Sequence, residues 1–277
     1  MLTKRILTVQ DISCVGQCSL TVALPIISAC GIETAILPSA VLSTHTGGFT
    51  GFTFCDLTDE MPKILEHWKK EGILFDALYT GYLGSTRQIQ YVLDIADAVL
   101  APGAPLIIDP AMADNGSLYY GFDQEFVDAM KKLIARADIT LPNVTEASFL
   151  TGIEYKESYD AAYVDELIKG LTDIGAKQVV MTGIGYSPEE SGVTVYADGK
   201  TRHYSHIRYA KGCHGTGDIY ASAFTGAYMR GKEIYDAAVI AADYTLSCIE
   251  MTQKDPEHWY GATFEKSLPK LIASLED

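Results

Sequence analysis

The chain has 277 residues, of which 48% are hydrophobic and 21% are charged, and its formal net charge is -15. This length and composition predict a single globular domain, residues 1–277, with a large buried core. The negative charge disfavours nucleic acid and anionic membranes as partners, and no segment is long and apolar enough to cross a membrane.

Short, continuously apolar runs alternate with amphipathic stretches along most of the chain. The first run, at 5–9, lacks the cleavage site of a signal peptide, so we expect a cytoplasmic protein. Strands of this buried type are predicted at 5–9, 32–37, 77–80, 106–109, 139–141 and 178–182, and helices at 62–71, 87–100, 124–136 and 163–174. This alternation predicts an α/β fold with a mostly parallel central sheet flanked by helices.

The pattern changes in the C-terminal third of the chain. Segments 193–196 and 201–207 flank the dipeptide Asp198-Gly199, which favours a tight turn, so a small antiparallel hairpin is predicted there. Helices are predicted at 219–230, 234–251 and 264–275. Ligands of parallel α/β sheets bind at the carboxyl ends of the strands, so functional residues are expected in the loops that follow them.

Residues 212–218, Gly-Cys-His-Gly-Thr-Gly-Asp, precede a predicted helix of small and apolar residues. Gly215 and Gly217 allow a ligand to approach the backbone closely, and amides at a helix N-terminus can hold a phosphate. Asp218 then stands where a substrate hydroxyl would attack, as a general base. The alternative is that Thr216 or Asp218 only caps the helix, and the motif alone does not separate the two interpretations.

Residues after three other predicted strands suggest phosphate and metal binding. Asn143 and Glu146 share one helix face and can hold the waters of a Mg²⁺ ion, but they equally fit a helix-capping pair. Asp109 suits a metal contact or a turn, and Thr182 with Gly183 can line a nucleotide phosphate. The P-loop motif is absent, and the glycine motif of dinucleotide-binding proteins does not follow the first strand.

These motifs together resemble those of the ribokinase-like superfamily and, within it, the pyridoxal kinase (vitamin B6 kinase) family. Gly-Thr-Gly-Asp at 215–218 is similar to the anion-hole and base motif of the superfamily, and Asn-x-x-Glu at 143–146 to its metal and phosphate motif. The pyridoxal kinase branch is indicated by Ser-Thr-His-Thr at 43–46, Gly-Tyr-Leu-Gly-Ser at 81–85 and Asp-Pro-Ala-Met at 109–112. The resemblance implies a ribokinase-like three-layer sandwich.

The resemblance also implies a role for each matching residue. The B6 vitamer would contact Ser13, His45, Thr46, Gly47, Tyr82, Cys213 and Asp218. ATP would contact Asp109, Asn143, Glu146, Thr182, Gly183, Gly215, Thr216 and Gly217, with Mg²⁺ held by Asp109 and Glu146 through water. The catalytic group would comprise Gly215, Thr216 and Gly217 around the transferred phosphate and Asp218 as the base. A monovalent cation such as K⁺ and a homodimer, with its contact near 39–54, are further implications.

Cys213-His214 departs from the commonest pyridoxal kinase pattern. It is similar to hydroxymethylpyrimidine kinases and to a bifunctional group in which a thiol at this position adds to the pyridoxal aldehyde. A second cysteine associated with that chemistry is missing from 111–122. Helix N-termini favour the thiolate, so the hypothesis is a reversible hemithioacetal at Cys213, and the alternative is a small buried residue in a tight turn.

The predicted function is transfer of the γ-phosphate of ATP to the 5′-hydroxymethyl group of pyridoxal, pyridoxamine or pyridoxine. The alternatives are a hydroxymethylpyrimidine kinase of thiamine synthesis, a sugar or nucleoside kinase, which suits the ring-binding segments less well, and a non-catalytic B6-binding protein. Lys211 is the nearest basic residue to the motif, so the positive potential must come from helix amides and Mg²⁺. This predicts strict metal dependence.

Overall fold

The computed structural model describes residues 3–209, 212–255 and 257–276, and it confirms the predicted α/β fold. The strands of the main sheet are β1 (Arg5–Ser13), β2 (Glu33–Leu42), β3 (Phe54–Asp56), β4 (Ala77–Thr80), β5 (Leu106–Ile108), β8 (Ile139–Thr140), β9 (Gln178–Thr182), β10 (Glu190–Ala197) and β11 (Lys200–Ile207). Two further short strands, β6 (Ala113–Asp114) and β7 (Ser117–Leu118), form a separate hairpin.

The main sheet has nine strands in the order β11-β10-β9-β8-β5-β4-β1-β2-β3. Its six central strands, from β9 to β2, pair in parallel. The predicted C-terminal hairpin is confirmed as β10 and β11, and β3 closes the opposite edge as an antiparallel strand. The edge strand β3 was not predicted, because its three residues are all exposed and show no apolar run.

The helices are α1 (Leu20–Ala29), α2 (Met61–Glu71), α3 (Thr86–Val99), α4 (Gln124–Ile134), α5 (Val144–Thr151), α6 (Ala161–Ile174), α7 (Thr216–Met229), α8 (Ile234–Gln253) and α9 (Leu268–Ser274). Helices α2 to α6 pack on one face of the sheet, around residues such as Val92 and Leu167. Helices α1, α7, α8 and α9 pack on the other, around Ile26 and Phe224. The three-layer sandwich is therefore confirmed.

Two helices gave no amphipathic signal in the sequence. Helix α1 is apolar on nearly all sides and contains Pro25, which is unfavourable inside a helix. Helix α5 is only eight residues long and is buried on most sides, so no polar stripe marks its period. The predicted C-terminal helix is instead a 3₁₀ turn followed by the short helix α9, which has a proline in its first turn.

Strands β1 and β2 extend further than their apolar runs. Strand β1 continues to Ser13 and β2 to Leu42, with a shift of register between Gln10 and Ile12. The extension places Ser13 within the strand rather than after it, beside the loop that carries His45. Among the described residues, no helix has both the length and the apolar character needed to cross a bilayer.

Candidate active site

Helix α7 begins at the motif that the sequence singled out, and its start is shaped by Gly215. Gly215 has a φ of 78°, and a Cβ there would lie 1.8 Å from the carbonyl oxygen of Gln17. Only glycine fits this left-handed position against the β1–α1 loop. A Cβ on Gly217, by contrast, would have no atom within 4 Å. This side of the first turn of α7 is therefore open, and amides at a helix N-terminus can hold a phosphate.

Asp218 lies in the first turn of α7 and is half-buried. Burial and, to a smaller extent, the negative charge of Asp11 raise the pKa of its carboxyl to about 7, against a hydrogen bond from the Ser19 amide that lowers it. A carboxyl with this pKa exchanges protons readily near neutral pH, as a general base must.

Asp11 is a site residue that the sequence reasoning did not select. Its carboxyl is only 4% exposed, and Ser13 Oγ donates a hydrogen bond of 3.0 Å to Asp11 Oδ2. Burial also raises the pKa of Asp11, and hydrogen bonds from the Ser19 and Ser13 side chains oppose this. A buried carboxyl beside Asp218 costs stability, and groups held at such a cost are typical of functional sites.

Asn143 and Glu146 form the capping pair at the start of α5. Asn143 Oδ1 accepts from the Glu146 amide at 2.9 Å, and Glu146 Oε2 accepts from the Asn143 amide at 2.9 Å. Glu146 Oε1 also accepts from the Met112 amide at 3.2 Å, which ties the cap to the chain after β5. The capping interpretation is confirmed, and the geometry leaves a metal role open to the same carboxylate.

Asp109 and Glu146 are buried carboxyls that influence each other. Burial raises the pKa of Glu146 to about 7, and it raises that of Asp109 well above its usual range, together with the charges of Glu146 and Asp218. Among the described residues, no lysine or arginine forms an ion pair with either carboxyl. This concentration of uncompensated negative charge fits a cation.

Direct metal coordination would need more ligands than these two carboxyls provide. Over 3–209, 212–255 and 257–276 there is no group of three or more His, Cys, Asp or Glu side chains able to hold a metal ion. A hydrated Mg²⁺ fits the donor set better, because this ion keeps several waters and needs one or two carboxylates.

Thr182 and Gly183 lie beside the Asn143 cap. The Thr182 amide donates to the carbonyl of Pro142 at 3.0 Å. The backbone of Thr182 also forms an isolated parallel β-bridge with that of Asn143. Gly183 is exposed, with a φ of 71°, and a Cβ there would meet no atom within 4 Å. Both residues therefore lie next to the Asn143 and Glu146 pair, as a nucleotide-phosphate role requires.

His45 is buried, and both of its ring nitrogens have protein partners. The Gly47 amide donates to Nδ1 at 3.0 Å, so Nδ1 is the acceptor and Nε2 carries the hydrogen that it donates to the carbonyl of Tyr260 at 2.6 Å. The His45 ring lies 5.1 Å from the ring of Phe49 and 5.4 Å from that of His214, measured between centroids. The hydrogen-bonding groups of the His45 ring are therefore already satisfied within the protein.

The remaining predicted substrate residues are distributed around this region. Tyr82 is half-buried and stacks on Phe122 at 5.6 Å, and burial raises its pKa, which keeps the hydroxyl protonated. Thr46 is exposed, whereas Ser13 is fully buried. Cys213 is half-buried, packs against the α7 side of the core, and its carbonyl accepts from Thr216 Oγ1 at 3.3 Å. Lys211 lies outside the described residues.

A carboxyl in the first turn of a helix, with two buried carboxyls nearby, is the arrangement expected of a small-molecule kinase of the ribokinase-like superfamily. The sequence profile of the phosphomethylpyrimidine kinase family matches residues 27–263. The chain belongs to this family, whose relatives include both pyridoxal kinases and phosphomethylpyrimidine kinases.

Solved structures agree with this assignment. A Bacteroides thetaiotaomicron protein, provisionally named a phosphomethylpyrimidine kinase, is 38% identical with a TM-score of 0.94, covering 98% of this chain and 94% of its own. A second crystal form of it contains pyridoxal (37% identity, TM-score 0.91, covering 99% and 96%). Pyridoxal kinase from Lactobacillus plantarum is 30% identical with a TM-score of 0.90, covering 98% and 97%.

A curated relative represents the other substrate class. The hydroxymethylpyrimidine/phosphomethylpyrimidine kinase of Bacillus subtilis is 29% identical over 226 residues, which are 79% of this chain and 77% of that protein. The resemblance drawn from the motifs is thus confirmed at the level of the kinase family, and both ring substrates occur among the relatives.

Proposed function

We propose that the protein transfers the γ-phosphate of ATP to the 5′-hydroxymethyl group of pyridoxal, pyridoxamine or pyridoxine. The observation that carries the proposal is the Asp218 carboxyl, whose pKa is raised by burial to about 7 and which stands in the first turn of α7, next to the open position at Gly217. Asp218 removes the proton from the attacking hydroxyl. The amides of Gly215, Thr216 and Gly217 hold the phosphoryl group as it gains negative charge.

A cluster of aromatic rings next to the start of α7 supports an aromatic substrate. His45, Phe49 and His214 bring their rings together, and Trp259 lies 4.7 Å from Phe49 between centroids. Aromatic side chains can stack on a flat heterocycle. The Bacteroides thetaiotaomicron protein, which resembles this chain over nearly its whole length, was crystallised with pyridoxal.

Mg²⁺ belongs to the proposal as the partner of ATP. Asp109 and Glu146 would hold it through water, and it would neutralise charge on the phosphates. The proposal requires this charge because the described site residues supply no lysine or arginine. A monovalent cation such as K⁺ is also proposed, without assigned ligands.

Phosphorylation of hydroxymethylpyrimidine is the second candidate function. It is favoured by the Cys213-His214 pair and by the match to the phosphomethylpyrimidine kinase family. Both substrates are flat nitrogen heterocycles with a hydroxymethyl group, so the same base and anion hole serve either one.

A coupled ADP-release assay tests the proposal. The panel should contain pyridoxal, pyridoxamine, pyridoxine and hydroxymethylpyrimidine, with each product identified by mass. We expect the highest kcat/KM with a B6 vitamer and no ADP release without Mg²⁺. A higher kcat/KM with hydroxymethylpyrimidine would select the second candidate, and no ADP release with any of them would favour a non-catalytic binding protein.

We also propose that the chain forms a homodimer through the edge at β3. Strand β3 ends the sheet, and its Phe54 is 50% exposed. An uncovered edge strand with an apolar side chain is suited to a partner. Light scattering of the purified chain distinguishes a dimer from a monomer.

A further inference from the structure

The loop at 258–262, between helices α8 and α9, contacts the site but matches none of its motifs. We call it the C-terminal loop; it consists of His258, Trp259, Tyr260, Gly261 and Ala262. It begins 40 residues after Asp218 in the sequence, so proximity along the chain does not bring it to the site. Its contacts join three separate loops.

The first contact is with the β1–α1 loop, through Gly261. Gly261 has a φ of 157°, and a Cβ there would lie 2.5 Å from Gln17 Cβ and 2.8 Å from the Gln17 amide nitrogen. The same Gln17 presents its carbonyl to Gly215 and donates from Nε2 to Glu265 at 2.7 Å. Gln17 is thus packed between the C-terminal loop and the start of α7.

The second contact is with the phosphate-binding motif itself. The Ala262 amide donates to the carbonyl of His214 at 3.0 Å. His214 directly precedes Gly215, so this bond fixes the chain just before the proposed anion hole.

The third contact is with the segment 45–49, which we call the ring loop. Tyr260 accepts the hydrogen bond from His45 Nε2 through its carbonyl, and the Trp259 ring packs on Phe49. A Cβ on Gly48 would lie 3.0 Å from Trp259 Cζ3, so the indole covers the backbone there. The C-terminal loop therefore sets both the tautomer of His45 and the position of Phe49.

We propose that the C-terminal loop positions the ring loop, with Trp259 as a residue that determines affinity for the flat aromatic alcohol. This inference rests on the proposed function for the identity of the alcohol. Trp259 acts through Phe49 and Gly48, and none of its described ring contacts involves Asp109, Asn143 or Glu146. Its loss weakens the binding of the ring substrate without weakening that of ATP.

The test uses the fact that the chain has two tryptophans. Trp68 lies on α2, where it packs against Phe75 in the core on the opposite face of the sheet. Trp68→Phe leaves Trp259 as the only indole, and Trp259→Phe leaves Trp68 as the matched control. Pyridoxine, which has no aldehyde, should change the fluorescence of the first variant and leave that of the second unchanged.

Steady-state kinetics give the second readout. Trp259→Ala should raise KM for the ring alcohol about 3- to 10-fold, the usual range for losing an aromatic pair, and change KM for ATP less than about twofold. Trp259→Phe should restore most of the affinity. Trp259 is 49% exposed, so its replacement should leave the fold intact.

The outcomes separate this inference from the proposed function. Equal changes in both KM values, or no fluorescence change of Trp259 with pyridoxine, would overturn the inference. A fluorescence change without phosphorylation of any ring alcohol would support the positioning role and refute the kinase proposal.

Discussion

The carboxyl of Asp11 lies close enough to that of Asp218 for its negative charge to help raise the pKa of Asp218. Asp11 lies in β1 and Asp218 at the start of α7, and Ser13 Oγ donates a hydrogen bond to the Asp11 carboxylate. Two carboxyls that share a region resist ionising together. Burial of Asp218, together with the charge of Asp11, therefore sets the pH range in which Asp218 would act as the proposed base.

A pH profile tests this electrostatic link. The value of kcat should rise with pH through about 7, because Asp218 must lose its proton before it can accept one. Asp11→Asn removes the neighbouring charge, so the rise should move to lower pH. The exposed Asp97, which pairs with Arg136, provides a control in Asp97→Asn, whose profile should match that of the wild type. An unshifted profile in Asp11→Asn would contradict the link.

Gly217→Ala should separate stability from activity. Gly217 lies in the first turn of α7, and a methyl group there meets no protein atom, so helix propensity should raise stability by about 0.5–1 kcal/mol. The same methyl enters the space proposed for the phosphate and should lower kcat at least about tenfold. Thermal unfolding and the ADP-release assay measure the two effects. A kcat equal to that of the wild type would place the phosphate elsewhere.

Glu146→Gln should weaken both the cap of helix α5 and the binding of Mg²⁺. A glutamine can accept only one of the two amide hydrogen bonds from Asn143 and Met112, so about 1–3 kcal/mol of stability should be lost. The loss of the carboxylate charge should raise the Mg²⁺ concentration for half-maximal rate about 10- to 100-fold.

A second capping residue provides the control for Glu146. Asp160 accepts from the Tyr163 amide at the start of α6, and Asp160→Ala should cost about 1 kcal/mol. Its Mg²⁺ dependence should remain that of the wild type. If both variants shift the Mg²⁺ dependence equally, the effect is one of stability, and Glu146 has no metal role.

Cys213→Ala tests the hemithioacetal hypothesis. The Cys213 sulfur would form a bond to the aldehyde carbon of pyridoxal, and the thiol proton would pass to the carbonyl oxygen. The variant should then bind pyridoxal more weakly and leave the aldehyde absorption of bound pyridoxal intact. Pyridoxine has no aldehyde, so its KM should not change. Unaltered pyridoxal affinity and rate in Cys213→Ala would refute the hypothesis.

The sequence predicted the architecture because the buried parallel strands are continuous apolar runs. Strands β4 and β9 match their predicted bounds at 77–80 and 178–182. Helix α1 was missed because it is apolar on nearly all sides and shows no polar stripe, and only the start of the short helix α5 was indicated, by its capping pair.

The site was predictable only where residues cluster along the chain. Residues 215–218 lie in one short motif, and the three-residue spacing of Asn143 and Glu146 predicts a capping pair. Asp11 and Tyr260 carried no such signal, because their importance comes from tertiary contacts with Asp218 and His45. The carbonyl oxygen of Tyr260 belongs to the backbone, so its hydrogen bond with His45 cannot be predicted from the residue type.

Asp218→Asn gives the most direct test of the kinase account. Because the pKa of Asp218 is raised in the folded protein, ionisation of this carboxyl lowers stability as the pH rises above its ordinary pKa of 3.8. The full cost is reached above about pH 7. The variant should therefore be at least as stable as the wild type at about pH 8, which removes unfolding as an explanation.

The deciding measurement is ADP release by Asp218→Asn with saturating ATP, Mg²⁺ and the best ring alcohol. We expect kcat to fall about 10²- to 10⁴-fold while ATP binding, measured by calorimetry, stays largely intact. A turnover close to that of the wild type would contradict the assignment of Asp218 as the base and, with it, the proposed mechanism.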